Sequence, residues 1–261
     1  MDDREDAHAD ATREGGAVES DEVRRTFFAS ASPSLANVAR VALALGDLRE
    51  SVVFIGGAIA FILQTNPPFP RIRPTKDVDG VIASNSYSDT QRIQEELAKR
   101  GFRHDTSDGA HADRWITPEE AVPFDLVPAG DHRGGSRNQW DQMAIETAIR
   151  HELYAGLDVR HASGPAFLAL KWAAHADRGA NDPRQSHDLE DLLALLASRP
   201  AIVEEVRESP AKLRNLIQQQ STIFLDDENI DELLDAHLNN AYDRREIVQV
   251  VRTRLQEITT G

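Results

Sequence analysis

The sequence predicts an α+β fold, with strands and helices interleaved through residues 25–160 and a helical bundle through residues 161–261. Three observations predict it. Short strand-forming runs bounded by turn residues occur at Val52–Ile55, Asp77–Ile82 and Val122–Pro128. Amphipathic helical patterns precede and separate these runs. After His161 the strand signals stop, and leucine-rich stripes at helical spacing take over.

Bulk properties narrow the function. The chain has 261 residues, 40% of them hydrophobic and 28% charged, so most of it is expected to be globular. Its formal net charge of -15 argues against nonspecific coating of nucleic-acid backbone, where each phosphate contact needs a cation. The absence of cysteine excludes disulfides, zinc–thiolate sites and cysteine nucleophiles. No apolar run approaches the ~20 residues that span a bilayer. The acidic N-terminus lacks the apolar centre of a secretory signal, so no membrane partner and a cytoplasmic location are expected.

Residues 1–24 are polar and acidic and read as a disordered tail. A helix over 35–49 follows, with Ser34 as its cap and Val38, Val41, Ala42 and Leu45 on its apolar face. Val52–Ile55 reads as a buried strand, broken by Gly56-Gly57, with a second helix from Ala58 to Leu63. A strand, a glycine turn and a helix start bring several backbone N–H groups to one point, which suits an anion as well as a plain tight turn. A loop with four prolines spans 65–74.

On the strand from Asp77 to Ile82, Asp77 and Asp79 share a face because strand side chains alternate. Two carboxylates on one face repel unless a cation lies between them or water surrounds them. Residues 88–100 form an amphipathic helix that stops at Gly101. A polar loop covers 104–112, and a short strand covers 114–117. Asp125 stands between Phe124 and Leu126 in an apolar strand and needs a partner if it is buried. A metal shared with Asp77 and Asp79 supplies one; facing water on an edge strand removes the need. A Gly/Arg loop at 130–137, a helix over 139–150 and a hairpin around Ala155-Gly156 complete the first part.

The helix starting at Gly164-Pro165 and running to Arg178 carries Lys171, His175 and Arg178 at i, i+4 and i+7, a cationic stripe. Ser186 caps the next helix, whose buried stripe is Leu189, Leu192, Leu193 and Leu196, with Asp188 and Asp191 beside it. Pro200 and Pro210 punctuate short helices. A helix over 242–258 closes the chain.

Gly56-Gly57, then Asp77-Val78-Asp79, then Asp125, resembles the order of motifs in the DNA polymerase β-like nucleotidyltransferase superfamily. The runs 170–178 and 187–193, around Lys171 and Asp188, resemble the C-terminal motifs of the AbiEii-type nucleotidyltransferase toxin family and its unassigned relatives. The resemblance spans about residues 35–197. It implies a nucleotidyltransferase-type mixed β-sheet with flanking helices, followed by a C-terminal helical bundle.

It also implies a set of roles. Asp77, Asp79 and Asp125 would bind Mg²⁺, or Mn²⁺, and Asp125 would also act on the incoming nucleophile. Gly56 and Gly57 would approach an NTP with their backbone. Lys171 would contact the phosphates, and Asp188 would orient Lys171 or lie near the nucleotide. The family often has Ser or Thr right after the glycines; here Ala58 stands there, so Arg73, Thr75 and Lys76 are the expected substitutes. The implied reaction is metal-dependent transfer of an NMP group from an NTP to a tRNA 3′ end, a protein hydroxyl or a small molecule. In the toxin branch an antitoxin is a further expected partner. An RNA end would call on Arg71, Arg73, Arg133, Arg137 and Arg178. A nucleotide-sensing protein without turnover on the same fold is the alternative.

Overall fold

The computed structural model describes residues 21–66, 73–179, 181–239 and 243–261. The tail expected over 1–24 lies outside them up to residue 20; residues 21–30 form a helix, α1, so its last four positions are helical. Most of the expected proline loop, 67–72, also lies outside the described residues.

Seven strands form one mixed sheet: β1 (Val52–Ile55), β2 (Val78–Ala83), β3 (Arg103–His104), β4 (Arg114–Ile116), β5 (Pro123–Ala129), β6 (Ile149–Tyr154) and β7 (Leu157–His161). Their order is β3-β4-β5-β2-β1-β7-β6. β2 is antiparallel to β1 and parallel to β5, and β1 is parallel to β7. The β6–β7 hairpin turns at Ala155-Gly156, where Gly156 takes φ +89°, the left-handed backbone such a two-residue loop needs. Central strands read as apolar runs because both faces are covered: Val52, Val53, Phe54, Val81 and Phe124 are all fully buried.

Helices α2 (Pro33–Leu45), α3 (Ala60–Leu63), α4 (Tyr87–Lys99) and α5 (Gln139–Glu146) are set between the strands in sequence. α6 (Gly164–Ala174), α7 (His187–Ser198), α8 (Ile202–Glu208), α9 (Ala211–Leu225), α10 (Ile230–His237) and α11 (Arg244–Thr260) follow them, so the α+β sheet with flanking helices and a C-terminal helical bundle is the fold observed. α6, α7, α9 and α11 pack on one another through Leu168, Leu192, Ile217 and Leu255. Among the described residues no helix is long and apolar enough to cross a membrane.

Local chemistry explains the departures from expectation. The cap of α2 is Ser32, not Ser34: Ser32 Oγ accepts from the Leu35 N–H at 3.3 Å, and Pro33 fits the first turn because its missing N–H has no partner there anyway. Ser34 instead accepts from the Thr75 N–H at 2.9 Å, tying α2 to the segment before β2. The helix expected over 139–150 stops at Glu146, and Ile149 already belongs to β6. The pairing of β6 with β7 outweighs the weak helical pattern there. α9 is 15 residues long rather than short, because Pro210 lies at its start, where proline does not interrupt the helix. β3 lies where a loop was expected to begin, a two-residue strand whose backbone bonds to β4.

Candidate functional site

Strand register builds the site. Ile55 on β1, Asp79 on β2, Asp125 on β5 and Arg114 on β4 are successive cross-strand partners. Directly paired residues point to the same face, so Asp79, Asp125 and Arg114 emerge side by side. Asp77, expected as the first strand residue, lies just before β2, which starts at Val78, and Arg114 ties it to the same group. β1 is followed by Gly56, whose φ of +70° is open to glycine. A Cβ there would lie 2.0 Å from Asp79 Oδ2, so the glycine is what makes room for the carboxylate. Gly56→Ala is therefore expected to destabilise the protein by about 1–3 kcal/mol through backbone strain alone and to displace Asp79. A thermal melt and a crystal structure of the variant would check both.

The partner that Asp125 requires is Arg114. Its Nε donates to Asp125 Oδ1 and its Nη2 to Asp125 Oδ2, both at 2.7 Å, and the same Nη2 donates to Asp77 Oδ2 at 3.0 Å. These contacts hold the guanidinium pKa well above its ordinary value, chiefly through the Asp125 hydrogen bonds. Asp79 has no such donor among the described residues. Burial first, then repulsion from Asp77 and Asp125, raise its pKa to about 7.

The three expected metal ligands thus share one face, but no three His, Asp or Glu side chains among the described residues are grouped closely enough to hold an ion. Arg114 lies among the three acids and donates to both oxygens of Asp125, leaving a further lone pair on each. The donor set still fits a divalent cation. It is all carboxylate oxygen, as Mg²⁺ and Mn²⁺ prefer, and Asp79 is a half-buried carboxylate whose nearest opposite charges, Lys171 and Arg178, act from beyond ion-pair distance.

The helices add a second ionic group. Lys171 on α6 is buried and donates to Asp191 Oδ2 at 2.5 Å and Asp188 Oδ1 at 3.1 Å, both on α7. Desolvation opposes its charge, but Asp191 and Asp188 outweigh that and raise its pKa. Asp188 also accepts a fork from Arg178 at 2.8 and 3.0 Å. Its pKa is lowered: burial works against ionisation, and Arg178 and Lys171 prevail. α6 passes into a π-turn over His175–Gly179, which brings His175 Nδ1 within 2.8 Å of Ser186 Oγ, the cap of α7. Asp188 thus contacts both Lys171 and Arg178, and it lines both cavities of the site. Two of the three ammonium donors of Lys171 are taken by Asp188 and Asp191, and Lys171 lines the same two cavities.

Two cavities meet at Asp79, Lys171, Arg178 and Asp188. One, of about 380 Å³, is also lined by Gly57, Arg73, Thr75, Asp77 and Asp125. The other, of about 520 Å³, is also lined by Gly56, Asn138, Trp140, Asp141 and Leu170. Lys76 lines neither; it is exposed, and its carbonyl accepts from Asn37. Arg133 and Arg137 line neither cavity, and Arg137 pairs with Asp131; Arg71 lies outside the described residues. Ala58 is fully buried, so that position offers the site no polar group.

Sequence reasoning missed Arg114 and Asp191 as site residues. A signal existed for each. Arg114 opens a predicted strand shortly before an acid that needs a partner, and Asp191 lies one helical turn from Asp188.

No protein-family model matches the sequence, and a comparison with curated proteins gives no match either. Among solved structures, the chain is similar to an antigenic nucleotidyltransferase-like protein from Paracoccidioides brasiliensis, with 17% identity and a TM-score of 0.44, covering 84% of this chain and 94% of that one. It is also similar to a candidate nucleotidyltransferase from H. pylori, with 15% identity and a TM-score of 0.46, covering 88% of this chain and 96% of that one. At such values the likeness carries no residue-level or catalytic argument, and function has to be read from the site.

Proposed function

We propose that this protein is a divalent-metal-dependent nucleotidyltransferase that moves an NMP group from an NTP to a hydroxyl acceptor. The observation that carries the reading is Asp79: a half-buried carboxylate beside a glycine turn, flanked by Asp77 and Asp125 and accepting no side-chain hydrogen bond among the described residues. Such an arrangement is unfavourable unless a cation completes it. Asp77, Asp79 and Asp125 would hold Mg²⁺ or Mn²⁺, which when bound would supply Lewis-acid neutralisation of charge on the transferring phosphoryl group. In this reading Gly57 lets its backbone approach the triphosphate, and Arg73 and Thr75 line the same cavity. Asp125, facing that cavity, would take the proton of the acceptor hydroxyl on a lone pair that the Arg114 fork leaves open. Lys171, Asp188 and Arg178 fix α6 and α7 against the carboxylates. The acceptor is a tRNA 3′ end, a protein hydroxyl or a small molecule. A cytoplasmic location and, for a toxin role, an antitoxin partner belong to the same reading.

A second reading, nucleotide sensing without turnover, is favoured by Ala58 and by the Arg114 fork on Asp125. Calorimetry with Mg²⁺ and each NTP, run beside an assay for pyrophosphate release with cellular RNA or protein as acceptor, separates the two. The transferase reading expects both binding and pyrophosphate release. Binding without release would favour the sensor, and no binding of any NTP would remove both.

A further inference from the structure

Arg114 is the site cation that the proposed reaction does not use. Its position follows from the sheet: the register sets it opposite Asp125, on the strand beyond it from Asp79. The planar guanidinium presents several donors at once, and here it spends two on Asp125 and shares one of them with Asp77. The two contacts differ in strength. The Asp125 fork is two-pronged, with a side chain only 13% exposed; the Asp77 contact is single, longer and made to a side chain 41% exposed. Asp79 receives nothing from Arg114, so one positive charge is divided between two of three neighbouring carboxylates, and an excess of negative charge remains at the strand ends.

We infer that Arg114 is a positioning residue that stands in for a divalent ion at Asp77 and Asp125 in the metal-free protein and gives up Asp77 when the ion binds. The inference rests on the metal reading proposed above. The fork keeps Asp125 in place as the strands assemble, when three bare carboxylates would push one another apart. The single contact to Asp77 is the one a divalent ion between Asp77 and Asp79 would replace. Arg114 then sets a threshold for metal binding, because its charge opposes the incoming cation at short range.

The test is Mn²⁺ binding to the full chain, followed by the electron paramagnetic resonance signal of the free ion, with thermal melts in EDTA. Arg114→Gln is expected to bind Mn²⁺ at least tenfold more tightly than wild type and to melt at a lower temperature without metal. A residue with only a structural role would lower the melting temperature without tightening metal binding. Unchanged or weaker Mn²⁺ binding by Arg114→Gln overturns the inference. Should that variant not fold without metal, Arg114→Lys, which keeps the charge but not the fork, is expected to tighten binding about threefold, and no tightening overturns the inference equally. Asp79→Asn separates the two levels of the argument. If wild type binds Mn²⁺ and Asp79→Asn does not, the metal reading stands and Arg114 is judged on its own variants. If wild type binds no Mn²⁺, or Asp79→Asn binds it as well as wild type, the metal reading falls and the inference with it.

Discussion

Lys171→Met is expected to destabilise the protein by about 3–5 kcal/mol, because it removes one partner of a buried ionic group and leaves the others in place. The side chain of Lys171 is 11% exposed, and those of Asp188 and Asp191 are each 6% exposed. Methionine keeps the lysine stem as far as Cε, so the loss is mainly electrostatic rather than a cavity. Arg178 continues to serve Asp188, and the burden falls on Asp191, for which Lys171 is the ion-pair partner seen among the described residues. In a chain of this size the loss lowers the melting temperature by roughly 10 °C.

The sign with pH is defined. Lys171 has a raised pKa, so its contribution is fully present below the ordinary lysine value and is lost only as pH rises through the higher folded value. Asp188 has a lowered pKa, so its contribution is present above the ordinary carboxylate value and is lost as pH falls through the lower folded value. Between these limits the cost of Lys171→Met should not vary much. The double variant Lys171→Met/Asp191→Leu is expected to recover most of the loss, since an apolar replacement of a buried pair is often neutral. A Lys171→Met protein that melts with wild type would show that the group carries no stability.

What the sequence makes legible here follows from what is local. Gly56-Gly57, the Asp77/Asp79 pair and Asp125 could be placed because a glycine turn and a two-residue strand period are local signals, and the register Asp79 to Asp125 then brings the acids together. The arginine beside them was not legible, because β4 has only three residues and its partner is decided by sheet order. The composition of a short strand does not name its neighbour. Lys171 illustrates the other limit. Helical spacing put it on a cationic stripe with His175 and Arg178, yet α6 ends at Ala174, Arg178 stays exposed, and Lys171 alone of the three is buried, where its ammonium meets Asp188 and Asp191. Where local rules were close to balance, small terms decided the outcome. Ser32 and Ser34 are both good caps, and Pro33 between them selects Ser32.

Asp79→Asn is expected to lose activity and gain stability. Activity is measured as transfer of label from an NTP to an acceptor, and the loss is roughly a hundredfold or more, as expected for removing a charge that the transition state needs. The stability gain is the more specific claim. Asp79 has its pKa raised to about 7 from an ordinary 3.8, by burial first and then by Asp77 and Asp125. Between these values the folded metal-free protein keeps a proton that the unfolded chain has released. Its stability therefore falls as pH rises through this window, and the full penalty is present above pH 7. Asparagine carries no such charge. In EDTA, wild type and Asp79→Asn should melt close together near pH 4.5, and at pH 8 the variant should be more stable by about 1–3 kcal/mol. Adding Mn²⁺ at pH 8 should then stabilise wild type and leave Asp79→Asn unchanged. If Asp79 is instead an ordinary structural acid, the variant will be the less stable protein at pH 8, with a gap that Mn²⁺ does not alter. The opposite outcome, a gap in favour of asparagine that grows with pH and closes with metal, is what a carboxylate held in place for a cation requires.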